Sequence, residues 1–245
     1  MVTNDDIKTL LTEIRYEKIK QFKKKRIKKL KKESIFNVCM HLIPFNALDH
    51  DYKCFDSNGI YQKAEDLLIP KNYHADRDYV TPPSSVFTLN GLELIYKPLQ
   101  PSKYRKKSVY RDDECLRRIQ LYRNGIVEYC DNSAVKEENN KSELETLNFQ
   151  RNTKIALSEL LNYQKEWDLE PPILLFISLI NVKDYVFYGI PFDRNLLELP
   201  EVKIDDLDTD IDIIIKPLFD MVWNSCGIKE SPNFNKEGKW QPPRS

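Results

Sequence analysis

The stretch Pro171 to Tyr188, Pro-Pro-Ile-Leu-Leu-Phe-Ile-Ser-Leu-Ile-Asn-Val-Lys-Asp-Tyr-Val-Phe-Tyr, constrains the fold more than any other. Its first half is an unbroken apolar run between two prolines and Asn181, too short for a helix of useful length and lacking the polar alternation of a half-wet strand. It predicts a central strand over about 172–181, buried on both faces. Around it the pattern predicts an α+β fold: a mostly antiparallel sheet packed by two or three helices, with a long basic helix at the N-terminus. Residues 34–230 are expected to form one domain, with 1–33 as a helical arm and 231–245 as an extended tail.

Two hairpins are signalled. Asn124-Gly125, flanked by Leu116 to Asp131, predicts a type I′ turn, because both central residues need positive φ and this pair adopts it at low cost. That turn would set Tyr122 opposite Val127 and Ile119 opposite Cys130, leaving Cys115 out of register with Cys130. Asn90-Gly91 between Val86–Leu89 and Leu92–Tyr96 predicts the second. Phe36 to Pro44 reads as a strand, Ala134 to Ser142 as a polar surface loop, and Leu144 or Phe149 to Trp167 as a helix. Tyr185–Gly189 and Leu196–Ile204 read as strands, and Ile213 to Cys226 as a helix stopped by Gly227. Residues 45–85 read as an irregular excursion with one helical turn near Gln62 to Leu68.

The 38 basic and 38 acidic residues balance, but unevenly along the chain. Residues 1–33 hold twelve Lys and Arg against five Asp and Glu, a net +7, so the remainder nets −7. No Gly or Pro interrupts residues 4–32, which therefore read as one helix. Ile7, Leu10, Leu11 and Ile14 fall on one face, the spacing of a seam that packs against another protein or a second copy. Ile19, Phe22, Ile27 and Leu30 continue a thinner stripe. Lys18, Lys20, Lys23, Lys24, Lys25, Arg26, Lys28, Lys29, Lys31 and Lys32 are the candidate polyanion contacts, since clustered cations gain affinity by releasing counterions from phosphates. A solvated helix face, a membrane surface and an acidic partner are the competing readings. Without interleaved aromatics, contact with nucleic acid would be non-specific.

Catalytic signatures are sparse. The six glycines are mutually distant, which excludes a P-loop, a dinucleotide fingerprint or a kinase glycine loop. Three dispersed histidines make no zinc pattern, and His41 reads as a core residue on a strand face with Cys39. Asp205 to Asp212 lacks the glycine and closing glutamate of a calcium loop and reads as a helix cap. Glu201-Val202-Lys203, with an upstream acid such as Asp184 or Asp193, fits the Asp…Glu-x-Lys arrangement of metal-dependent nucleases and is the alternative, enzymatic reading. Otherwise neither enzyme activity nor a cofactor is expected. Five scattered cysteines without Cys-x-x-Cys predict reduced thiols in a reducing compartment. No apolar run reaches the roughly 18–20 residues of a membrane span, so a cytoplasmic location is expected.

Several segments carry a family resemblance: Tyr16-Glu17-Lys18-Ile19 leading to Ile27, Met40-His41-Leu42-Ile43-Pro44, Gln120-Leu121-Tyr122-Arg123-Asn124-Gly125-Ile126-Val127-Glu128, Pro171 through Val182, and Pro217-Leu218-Phe219-Asp220-Met221-Val222-Trp223-Asn224. Collinear over roughly 13–240, they resemble the C-terminal region of bacterial proteins that begin with a Schlafen-type AlbA_2 DNA-binding domain. The AlbA_2 domain has no counterpart here, so its DNA-binding surface transfers to no residue. The resemblance implies a non-enzymatic binding or scaffolding module of a nucleic-acid-associated protein, of the antiviral-defence kind. It would act beside a separate partner, or form part of a longer chain with the basic helix as a linker.

Overall fold

A computed structural model of the chain describes residues 4–33, 37–67, 83–97, 115–138 and 141–242. A further basic run in the sequence, Lys103-Tyr104-Arg105-Lys106-Lys107, and His74 lie outside the described residues. The fold is α+β, as the apolar pattern predicts. Its elements are α1 (Asn4–Glu33), β1 (Val38–Pro44), α2 (Ser57–Leu67), β2 (Ser84–Thr88), β3 (Gly91–Tyr96), β4 (Arg117–Tyr122), β5 (Val127–Asp131), β6 (Val135–Glu138) and β7 (Lys141–Leu144). Then come α3 (Thr146–Glu166), β8 (Ile173–Ile180), β9 (Val186–Phe187), β10 (Ile190–Pro191), β11 (Leu196–Glu198), β12 (Val202–Ile204) and α4 (Ile211–Asn224).

Eight strands form the main sheet in the order β11-β8-β1-β5-β4-β3-β2, with β12 pairing β8 beyond β11. Strand β8 is buried at every position, held by β1 on one side and by β11 and β12 on the other. Its alternate residues explain the apolar run, which Ser178 alone interrupts. Ile173, Leu175, Ile177 and Leu179 enter the main core with α2, α3 and α4, while Leu174, Phe176 and Ile180 face α1. With helices on both faces, neither set of side chains meets water. A smaller sheet, β10-β9-β7-β6, lies beside it.

Several expectations are corrected. The β4–β5 turn is not type I′: Tyr122 N donates to Ile126 O at 2.9 Å, Gly125 N to Tyr122 O at 3.0 Å, and only Gly125 takes positive φ, at 78°. This is a three-residue loop with glycine at the left-handed position, and the Asn124 side chain is spent donating to Ala47 O at 2.9 Å. The register therefore shifts by one, pairing Leu121 with Val127 and Arg118 with Cys130. In the β2–β3 hairpin the loop is Leu89–Asn90, and Gly91 already belongs to β3. Glycine is required there because a Cβ would lie 2.0 Å from Leu121 O.

The segment read as a polar loop is the β6–β7 hairpin, and the strand expected over Leu196–Ile204 is broken into β11 and β12 around Leu199–Glu201. Nor is the C-terminal segment a loose tail. Ser231 and Asn233 are buried, both donate to Gln150 Oε1, and Trp240 N donates to Asp212 Oδ2 at 3.0 Å.

Candidate binding face on the N-terminal helix

The N-terminal helix is not a projecting arm along its whole length. At 100° per residue, Ile19, Phe22, Ile27 and Leu30 point one way and Ile7, Leu10, Leu11 and Ile14 point more than a third of a turn away. The first set is seated on the sheet. Ile19 shares a cluster with Ile43, Ile126, Leu174 and Phe176, and Ile27 and Leu30 share another with Cys39, Cys130 and Ile180. Thus α1 runs along the strands, in the direction of β8 and against β1. The second set remains in solvent, with Ile7, Leu10, Leu11 and Ile14 exposed by 42 to 56%. Packing on the body begins one residue later: Arg15 Nε donates to Asp49 Oδ2 at 2.7 Å, and the Tyr16 ring meets Phe45. Eleven residues of helix, roughly 16 Å, precede that point.

Between the two apolar clusters the contact is ionic. Arg26 closes a bidentate pair on Glu128, Nε to Oε2 at 2.7 Å and Nη2 to Oε1 at 2.6 Å. His41 Nε2 lies 3.1 Å from Glu128 Oε2, and both residues are fully buried. Burial alone would raise the Glu128 carboxyl, but hydrogen bonds from Arg26 and His41 carry it well below the usual carboxylate range. Burial likewise would lower the Arg26 guanidinium, and Glu128 outweighs it. With Glu128 ionised, His41 donates from Nε2. Arg118 adds a second tie, reaching Glu33 of α1 at 2.9 Å and Glu93 at 3.4 Å.

This network engages part of the expected polyanion set. Arg26 is consumed by Glu128, and Lys23 pairs with Glu198 at 2.7 Å while its ammonium sits 4.9 Å from the Phe176 ring centroid. Lys18 donates to Leu48 O, Lys20 pairs with Glu17, and Lys29 pairs with Glu33. Lys24, Lys25, Lys28 and Lys32 are exposed and pair with no described carboxylate. A groove of about 650 Å³ runs between α1 and β11. Lys20, Lys23, Lys24, Lys28, Lys31 and Lys32 line it with Ile27 on the helix side, and Leu196 and Glu198 on the strand side.

His41 is a core histidine, as read. Cys39 Sγ lies 3.7 Å from His41 Nδ1 and 3.9 Å from Cys130 Sγ, but all three are sealed beneath α1, and burial holds the Cys39 thiol well above its ordinary range. A Cys-His-Glu set that no substrate can reach and whose thiol stays protonated is a packing network. All five cysteines are free thiols.

The nuclease arrangement is not assembled. On β12, Val202 and Ile204 turn toward the core, and Lys203 points to solvent and pairs with Asp205 at 2.7 Å. Asp193 is held by Arg194. Among the described residues no group of three His, Cys, Asp or Glu side chains could hold a metal ion. The acidic run caps α4 instead: Asp210 Oδ1 accepts from Asp212 N at 2.9 Å. Among the described residues no helix is long and apolar enough to cross a membrane.

Glu128 is the residue that sequence reasoning passed over. Its signal was faint, an acid alternating with Ile126 and Cys130 on one strand face. Compared with protein-family models, curated proteins and solved structures, the chain matches none.

Proposed function

We propose that the chain is a non-enzymatic binding and scaffolding module that docks a partner helix on the first three turns of α1. One observation carries this reading: Ile7, Leu10, Leu11 and Ile14 form an exposed stripe at i, i+3, i+4, i+7 on a helix segment that precedes the first apolar packing of α1 on the described body. Four large apolar side chains in such a register cost free energy in water and gain it back when a second helix covers them. The partner is another subunit, either a second protein or a copy of this chain. The resemblance supports a nucleic-acid-associated setting of the antiviral-defence kind, in the cytoplasm, where DNA is held by a separate domain.

A photo-crosslinking amino acid in place of Leu10, compared with one in place of Lys25 on the same helix, tests the reading in the native host. A discrete adduct at Leu10, absent at Lys25 and lost with Ile7→Ser and Ile14→Ser, is expected. Mass spectrometry then separates a self-adduct from a second protein. Equal labelling at both positions, or none at Leu10, overturns it.

A further inference from the structure

We infer that the groove between α1 and β11 takes an extended acidic segment of a protein, which adds as a strand to the free edge of β11 and lays its carboxylates along the lysines of α1. The inference rests on the reading of the chain as a binding module, but on a different surface from the apolar stripe.

Among the described residues the edge is open in the right place. Asn181 N donates to Asn195 O at 2.8 Å and Leu199 N to Ile177 O at 3.0 Å, so residues 195, 197 and 199 turn their backbone groups toward β8. By alternation, Leu196 and Glu198 turn theirs away, and these are the two strand residues that line the groove. Strand β11 ends the sheet order. An exposed edge of this kind is a template for an added strand.

Charge then chooses the guest. Glu198 is already neutralised by Lys23. Lys24 and Lys28 pair with no described carboxylate, and Lys20 and Lys31 flank them. One turn separates Lys24 from Lys28, about 6 Å along the helix, and alternate residues of a strand are about 6.6–6.8 Å apart. Because α1 runs along the strands, the two spacings lie in the same direction, so acids at every second position of the guest meet successive lysines. A nucleic acid is the poorer fit. Among the described residues no aromatic ring lines the groove to stack a base, and a phosphodiester chain has no use for a strand edge.

The probe is a labelled peptide of about eight residues alternating Glu and Thr, long enough to cover the three residues of β11 with about two to spare at each end. Its binding to the full chain is read by fluorescence anisotropy beside a Lys/Thr peptide and an oligo(dT) single strand. The acidic peptide alone is expected to bind, and K24E with K28E to weaken it by about tenfold or more, roughly 1.4 kcal/mol. Both lysines are exposed, so circular dichroism should be unchanged. Glu198→Pro removes the outward N–H without touching the ladder to β8. It should abolish binding while Glu198→Gln, which keeps the donor, should not. Failure of the acidic peptide to bind, binding indifferent to K24E/K28E or to Glu198→Pro, or preference for oligo(dT) overturns the inference. A failed Leu10 crosslink leaves this result standing, and the reverse holds as well.

Discussion

The Arg26 guanidinium and the Glu128 carboxylate, 102 residues apart in sequence, form a two-pronged pair on the sheet face beneath α1. Removing one partner of such a pair strands the other in a place water does not reach. Arg26→Ala should therefore destabilise the chain by about 3–5 kcal/mol, measured as a fall in urea midpoint. Replacing Arg26, His41 and Glu128 together by Met, Leu and Leu should recover most of that loss, since nothing charged is then left unpaired.

Acid should undo the same contact. The folded-state Glu128 carboxyl lies below its ordinary range, so its contribution is complete above the unfolded value of about 4.3 and is lost as pH falls through the folded value. Stability of the native chain should drop below about pH 4.5 more steeply than that of Glu128→Gln. Parallel curves for the two would contradict this.

Thiol reactivity should grade with depth. Cys54 is exposed, Cys115 and Cys226 half-buried, and Cys39 and Cys130 fully buried. Burial also pushes the Cys115 thiol up to about 11. Ellman's reagent should modify Cys54 at once, Cys115 and Cys226 slowly, and Cys39 and Cys130 only as fast as α1 lifts from the sheet. Arg26→Ala should accelerate that last phase selectively.

Gly91→Ala should be severe for a single methyl group. The residue sits at φ +145°, and its Cβ would meet the Leu121 carbonyl oxygen at 2.0 Å. The backbone conformation alone costs about 1–3 kcal/mol for a residue other than glycine. A matching Gly227→Ala change meets nothing within 4 Å and should lower the urea midpoint less.

What the sequence disclosed followed from how local the cause was. Strand β8 was legible because an apolar run covered on both faces advertises itself residue by residue, and α1 because thirty residues lack any breaker. The disposition of α1 was not legible. Arg26 and Lys23 look the same as Lys24 and Lys25 in a charge count, and only Glu128 and Glu198, distant in sequence, decide which cations are withdrawn. The glycine at 91 was visible as a turn signal, yet the need for it comes from the neighbouring strand β4. The hairpin of β6 and β7 was hidden by its charge, because β6 ends the smaller sheet and an edge strand carries Lys and Glu where a buried one carries Val and Ile.

One practical outcome follows from the way Ile19, Ile27 and Leu30 sit on the sheet. Trimming the chain back to residue 34 would not yield a body relieved of an appendage. It would strip the roof from Ile43, Leu174 and Phe176 and leave Glu128 facing water without its cation, producing a sticky remnant. Lost binding by such a remnant would report collapse, which is why single side chains, and not deletions, are the instruments for dissecting this helix.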